Sequence, residues 1–265
     1  MRLPGPRSDR GVALLIVLLV TALLIALIFE FSYATRISLN SAINFRNSQR
    51  AYFLARSGMY AFIKYGDQLR DFYIKQGEPG DVPGLSEADT RVILVWKDER
   101  GKININTVSS FDWVGNLFAL KGISTEVVDK IQALKQGPPS RTFVLLSELH
   151  AVMSDDDYIK VVDDLTTSSD SMININTASE DVLNSVLPNN RSDVTTIMNT
   201  RKTKKIAAVG DVGLNQSTVT NVSVLNSLRI DSTTYQIYIT AMVGDYTKTL
   251  EAIVNGNVIS YWRAL

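Results

Sequence analysis

The sequence predicts an α+β protein in which a long N-terminal transmembrane helix packs on an antiparallel sheet, with an inserted all-helical domain. Three observations lead to this prediction. An unbroken apolar run extends from Val12 to Phe29. One pentapeptide occurs twice, each time followed by helical sequence, and the chain ends in segments of alternating β-branched residues separated by turns.

The apolar run from Val12 to Phe29 has the length of a membrane helix. At about 1.5 Å per residue it reaches nearly across a ~30 Å hydrocarbon core. Arginines dominate the preceding segment, and positive charge marks the cytoplasmic end of a span. A secretory signal peptide is the alternative, but residues 30–33 supply no small-x-small cleavage site. We therefore expect residues 12–30 to be a retained single-pass span with a cytoplasmic N-terminus.

The same helix is predicted to continue through residues 31–75, since no proline occurs between Arg36 and Lys75. Residues 36–50 are more polar, which is typical of a segment that is solvated or packed against a neighbouring subunit. Further on, a stripe at alternating steps of four and three predicts one buried face. We expect Phe62, Tyr65 and Leu69 to be covered by the globular part of the chain. The full stripe is Ala51, Ala55, Gly58, Phe62, Tyr65, Leu69 and Phe72.

The segment after the long helix is predicted to contain a loop and a β-hairpin. Residues 76–90 are rich in glycine, proline and acids, which favours a surface loop. Residues 91–96 (RVILVW) favour a strand, and residues 102–105 favour its returning partner after a turn.

The pentapeptide Ile-Asn-Ile-Asn-Thr is the most specific internal signal, at residues 103–107 and again at 173–177. Each copy is predicted to precede two helices joined by a short turn, first over residues 110–120 and 124–135, then over 179–187 and 192–202. Asparagine and threonine accept hydrogen bonds from free amides where a strand ends and a helix begins, and Thr177 with Glu180 fits a capping box. The candidate helix-start residues are Asn104, Asn106, Thr107, Asn174, Asn176 and Thr177.

The three aspartates at residues 155–157 invite a calcium interpretation, but they lack the spacing of an EF-hand loop. A capping box in which Ser154 and Asp157 open a helix is favoured instead. The lone histidine, His150, is interpreted as an ordinary helix residue. After the helical region, strands are predicted over residues 221–230, 234–243, 247–254 and 258–262.

Composition excludes some functions. The 265 residues carry 27 basic and 27 acidic side chains, so bulk basicity does not favour nucleic acid. Cysteine is absent, which excludes disulfides and thiol chemistry. The sequence also lacks the motifs of nucleophilic hydrolases and phosphate-binding loops, so we expect no enzyme activity and no catalytic or metal-ligating residues.

Gly11 followed by the apolar run, behind a short basic leader, resembles the processing site of type IV prepilins and type II secretion pseudopilins. The resemblance implies that a prepilin peptidase cuts after Gly11 and that Val12 is then methylated. The fifth mature residue, a glutamate in most members, is Ile16 here. In those members the glutamate pairs with the terminal amine of the subunit ahead, because a carboxylate in the bilayer is costly without such a partner. A subunit at the tip has no subunit ahead of it, so an isoleucine in place of the glutamate suits that position.

With its large C-terminal domain, the sequence resembles the K-type minor pseudopilins of the general secretion pathway, the type II secretion system. The resemblance implies an inner-membrane protein with a periplasmic domain that caps the pseudopilus tip and helps initiate its assembly during export across the outer membrane. It implies I-type and J-type minor pseudopilins and the prepilin peptidase as partners. It leaves secreted protein substrates and calcium open, without assigning calcium ligands or any other cofactor.

The resemblance also implies a division of the chain into six parts, with a pilin-like fold in the globular region. They are the leader (1–11), the transmembrane helix (12–30), its periplasmic continuation (31–75), the first part of the sheet domain (76–106), the inserted helical domain (107–170), and the remaining sheet domain with the C-terminal strands (171–265).

Two alternatives remain open at this point. A minor pilin of a type IV pilus would share the leader and the long helix. The repeat also resembles the helix-hairpin-helix of membrane-tethered DNA receptors, and the basic cluster at residues 201–205 could contact phosphates. Only the first hairpin has a glycine, Gly122, for close approach to a phosphate, and cations at a helix end are favoured by its dipole alone. We therefore favour a structural role for the repeat.

Overall fold

A single long helix forms the N-terminal part of the structure, and the sheet packs against its distal part. The computed structural model describes residues 9–137, 140–219 and 221–265. Helix α1 (Asp9–Gln68) has 60 residues, about 90 Å of helix, and ends in a π-helical turn, Leu69–Tyr73. Its residues 11–46 are exposed throughout. Among the described residues, this is the one helix long and apolar enough to cross a membrane.

The distal part of α1 packs on the sheet, but its buried stripe differs from the predicted one. Ala55, Phe62 and Leu69 are buried as expected, whereas Tyr65 is 48% exposed and Phe72 is 79% exposed. The prediction was wrong for these two because α1 is kinked at Tyr65 (φ −123°, ψ 19°) and then widens into the π-helical turn. Both changes rotate the later side chains away from the register of an ideal helix, so Gly66 takes the buried position.

The sheet beneath α1 is antiparallel, with the strand order β1-β2-β7-β8-β9. Val92, Leu94, Ile237 and Ile239 alternate with half-buried or exposed residues and meet α1 in one core. The strands are β1 (Gly80–Asp81), β2 (Thr90–Asp98), β7 (Thr234–Val243), β8 (Tyr246–Asn255) and β9 (Val258–Ala264).

The predicted hairpin between residues 91–96 and 102–105 is wrong. The side chain of Asp98 accepts a hydrogen bond from the Arg100 amide and starts a 3₁₀ turn, Glu99–Gly101, that redirects the chain. Strand β3 (Ile103–Asn104) then pairs in parallel with β4 (Leu165–Thr166). The partners of β2 are β1, which lies inside the predicted loop, and β7.

Between β2 and β7 the chain forms two copies of one module, and both contribute to a single apolar core. The first copy runs β3, two helices, a 3₁₀ helix, a short helix and β4. The second repeats that order and ends in β6 (Leu228–Arg229), which pairs in parallel with β5 (Ile173–Asn174). The remaining elements are α2 (Asp112–Leu120), α3 (Thr125–Gln136), the 3₁₀ helix Leu146–Ala151, α4 (Asp155–Val161), α5 (Glu180–Val186), α6 (Arg191–Thr203), the 3₁₀ helix Val209–Val212 and α7 (Val222–Ser227).

Two further expectations change with this arrangement. Residues 221–230 are not one strand, because the Asn221 side chain accepts from the Ser223 amide and caps α7. The helices predicted after residue 170 form, but they belong to the insertion and not to the sheet domain: α2 packs on α5, and buried residues of both modules share one core. The insertion in the sheet therefore extends from Glu99 to about Ile230.

Candidate functional site

The predicted processing site lies at the exposed start of α1. Val12 and Ile16 are both more than half exposed, and a Cβ atom added to Gly11 would meet no heavy atom within 4 Å. Packing within this chain therefore gives no reason for a glycine at position 11. Residues 1–8 of the predicted leader lie outside the described residues.

The second asparagine of each pentapeptide pairs with the backbone of a distant residue. Asn106 Nδ2 donates to the Phe143 carbonyl (2.8 Å), and its Oδ1 accepts from the Phe143 amide (3.0 Å). Asn176 does the same with Ile206, at 3.0 Å and 2.9 Å, and also donates to the Ile230 carbonyl. Each side-chain amide thus replaces a strand partner. It ties the start of a module to the segment that follows the module's second long helix.

The first asparagine of each pentapeptide stabilises the turn after the short strand. The Oδ1 atom of Asn104 accepts from the Asn106 amide at 2.8 Å, and that of Asn174 accepts from the Asn176 amide at 3.0 Å. The identical letters therefore correspond to identical local geometry.

The two threonines of the repeat are not equivalent. Thr107 is exposed, whereas Thr177 Oγ1 donates to Asp98 Oδ2 at 2.7 Å. The predicted capping box of Thr177 with Glu180 is wrong. Ser179 caps α5 by accepting from the Val182 amide at 3.1 Å, since Thr177 is already engaged with Asp98.

Two buried carboxylates at the end of β2 join the sheet to the modules. Asp98 Oδ2 accepts from Asn174 Nδ2 (2.8 Å) as well as from Thr177, so it holds the second module. Glu99 accepts from Thr166 and pairs with Lys102 Nζ at 2.6 Å, so it holds the first. Sequence reasoning missed both residues. Two adjacent acids at the end of a predicted strand, three residues before the repeat, were the available signal.

A cation near the first hairpin is neutralised by both modules. Lys121 Nζ lies 2.9 Å from Asp164 Oδ2 and 2.5 Å from Asp181 Oδ2. Burial alone would lower the pKa of Lys121, but the hydrogen bonds from these two carboxylates outweigh it and the pKa is raised. Lys121 therefore joins the modules and is not available to a phosphate near Gly122.

The basic cluster that follows α6 is partly engaged within the chain. Arg201 Nη1 donates to the Ala178 carbonyl at 2.6 Å, and burial lowers its pKa. Lys205 Nζ lies 3.2 Å from Asp71 Oδ1, across a groove of about 1070 Å³ between the end of α1 and the second module. Carboxylates as well as lysines line this groove. The arrangement does not resemble a continuous phosphate-binding surface.

One buried edge of that groove is aromatic. The Arg70 guanidinium carbon lies 4.0 Å from the centre of the Tyr235 ring, and burial raises the pKa of Tyr235 to about 12. Trp96 and Phe62 pack edge-on against the same ring. These contacts fix the sheet against the end of α1.

The acidic run at residues 155–157 forms the first turn of α4, which Ser154 caps. Ser154 Oγ accepts from the Asp157 amide at 3.2 Å, as the predicted cap requires, and Lys160 pairs with Asp157 and lowers its pKa. His150 Nδ1 lies 2.9 Å from Asp155 Oδ1, and its ring packs on Tyr158. Over the described ranges, no group of three or more His, Cys, Asp or Glu side chains is positioned to hold a metal ion.

These features define a class of fold: a long exposed helix laid on an antiparallel sheet, with a helical insertion at the distal end. The chain is similar to a chain in the crystal structure of the GspK-GspI-GspJ complex from the type 2 secretion system of enterotoxigenic Escherichia coli. The TM-score is 0.57 at 13% identity, over 88% of this chain and 99% of that one. This likeness confirms the predicted α+β, pilin-like fold. No protein-family model and no curated protein matches the sequence.

Proposed function

We propose that this chain is a K-type minor pseudopilin of a type II secretion system. The observation that carries the proposal is the fold likeness to a chain of the GspK-GspI-GspJ complex, which spans 88% of this chain and so extends over both of its cores. A long helix on a sheet is found in many kinds of pilin and pseudopilin. The double helical module inserted between β2 and β7 is the feature that favours a K-type minor pseudopilin among them.

The start of α1 supports processing and membrane anchoring in the inner membrane. A prepilin peptidase would cut after Gly11, where no packing contact explains the glycine, and Val12 would become the methylated N-terminus. The apolar residues of α1 would leave the lipid during assembly and pack against the helices of neighbouring subunits, so their exposure in the isolated chain is expected.

The position of the helical modules supports a role at the tip. From Phe29 to Leu69, α1 rises about 60 Å, and the modules join the sheet beside that distal end. A further subunit stacked above would meet them. Ile16 fits the same role, because a subunit with none ahead of it has no terminal amine for a glutamate to neutralise. In this position the chain would cap the pseudopilus and help initiate its assembly, with I-type and J-type minor pseudopilins as its neighbours.

An export assay tests this proposal. In a strain whose own copy of this gene is deleted, we expect the secreted enzymes to accumulate in the periplasm, and expression of the wild-type chain should restore their appearance in the medium. Normal export combined with loss of surface pili would instead make the chain a minor pilin. Normal export with intact pili would remove it from both machines.

A further inference from the structure

The outer side of α1 carries a seam of exposed residues between Arg36 and Lys64. Its members follow alternating steps of three and four residues over four heptads, the spacing that brings side chains of one helix against a partner helix. All of them are exposed. We call this set the outer seam. Its apolar members are Leu39, Ile43, Phe53 and Tyr60, and Ser57 is its uncharged polar member.

The chain's own sheet cannot cover the outer seam. Phe53 precedes the buried Ala55 by two residues, and Tyr60 precedes the buried Phe62 by two. Two residues correspond to about 200° around a helix, so Phe53 and Tyr60 point away from the sheet, whereas Arg46 and Arg50 border a groove at its edge. Four exposed apolar side chains interspersed with cations along one helix face favour a partner outside this chain.

The charge of the outer seam has one sign. Between residues 31 and 66 the sequence contains no aspartate or glutamate. Glu87 and Asp89 line a groove beside Arg46 and Arg50, yet among the described residues no salt bridge to any of the four seam cations is formed. The seam cations are Arg36, Arg46, Arg50 and Lys64.

We infer that the outer seam binds the long helix of a different subunit, whose facing side carries carboxylates among apolar residues. A second copy of this chain in parallel would place Arg50 opposite Arg50 and Lys64 opposite Lys64, and like charges at facing heptad positions disfavour pairing. The seam thus selects an acidic neighbour and disfavours self-association. The inference rests on the proposed function, which supplies neighbouring long helices.

Charge reversal tests the selection with the full-length chain in lipid nanodiscs. The sequence has no cysteine, so Ser41→Cys, which lies off the seam, accepts donor or acceptor dyes. The probe for the acidic partner is the chain itself carrying Arg46→Glu, Arg50→Glu and Lys64→Glu. We expect energy transfer between wild type and this variant to indicate association about tenfold tighter than either chain shows with itself, and to weaken with added salt.

The matched control reverses three exposed lysines of the helical modules: Lys130→Glu, Lys202→Glu and Lys204→Glu. It changes the net charge equally and should not raise energy transfer with wild type. Equal transfer for the wild-type pair and the mixed seam pair would overturn the inference, as would a control as effective as the seam variant. This readout does not involve export, so failure of the proposed function in the export assay would remain distinguishable.

Discussion

At the scale of single residues, the second asparagine of each repeat makes with its side chain the pair of hydrogen bonds that a neighbouring strand would make with its backbone. Asn106 and Asn176 each present a carbonyl and an amide to one distant residue, Phe143 or Ile206, with donor–acceptor distances of 2.8–3.0 Å. An asparagine side chain is the smallest that can offer both groups in one plane. A side chain therefore joins the start of each module to the segment after its second long helix, where a strand would otherwise be needed.

Asn176→Ala should destabilise the helical core by about 1–3 kcal/mol, because it leaves the amide and carbonyl of Ile206 without their partner. Denaturant unfolding of the full-length chain, followed by the fluorescence of the buried Trp113, measures the effect. Asn199→Ala on the exposed side of α6 is the control and should change stability by less than about 0.5 kcal/mol. Equal stability of the two variants would contradict the proposed role of Asn176.

The sequence predicts these asparagines as special residues but not what they bind. Repetition of the letters indicated repeated geometry, and Asn104 and Asn174 do start the same turn. The partners of Asn106 and Asn176 lie 37 and 30 residues further along the chain. The residues next to each asparagine in sequence do not specify these partners, because the hydrogen bonds form only when the module has folded.

At the scale of elements, the contact between α1 and the sheet depends on a small residue. A Cβ atom at Gly58 would lie 2.8 Å from Ile239 Cγ2 and 3.1 Å from Val92 Cγ1. The helix therefore lies against β2 and β7 at a distance that only glycine permits without movement.

Gly58→Val should destabilise this contact by about 1–3 kcal/mol through overpacking. Gly115 in α2 is a control for a helical glycine without a steric clash, since an added Cβ there meets no heavy atom within 4 Å. Gly115→Ala should be stabilising by about 0.5–1 kcal/mol, because glycine is a poor helix former. Thermal unfolding of both variants provides the measurement, and a Gly58→Val chain as stable as wild type would refute the close packing.

Elements with strong local patterns were predictable, and those chosen by long-range pairing were not. The strands β7, β8 and β9 and the helices α2, α3, α5 and α6 fall within a few residues of their predicted bounds. Residues 102–105 have the composition of a hairpin strand, yet their partner is the distant β4. Tyr65 fits an ideal helical stripe, and the kink at that residue removes it.

At the scale of the whole molecule, both helical modules are inserted in the sequence between two neighbouring strands of the sheet. Strand β2 pairs with β7 along its full length, from Thr90 opposite Val243 to Asp98 opposite Tyr235, although both modules lie between them in sequence. The buried carboxylates of Asp98 and Glu99 then orient the modules at the distal end of α1. The predicted division ended the helical insertion at residue 170, whereas the second pentapeptide and its helices share the core of the insertion.

The molecule thus presents an exposed apolar helix at one end and a bulky double module at the other. Under the proposed function, this chain enters the filament only after the leader has been removed. The intact mass and N-terminal sequence of the protein recovered from membranes test it most directly. We expect a chain that begins at N-methylated Val12. A chain that still begins at Met1, in cells with an active prepilin peptidase, would contradict it.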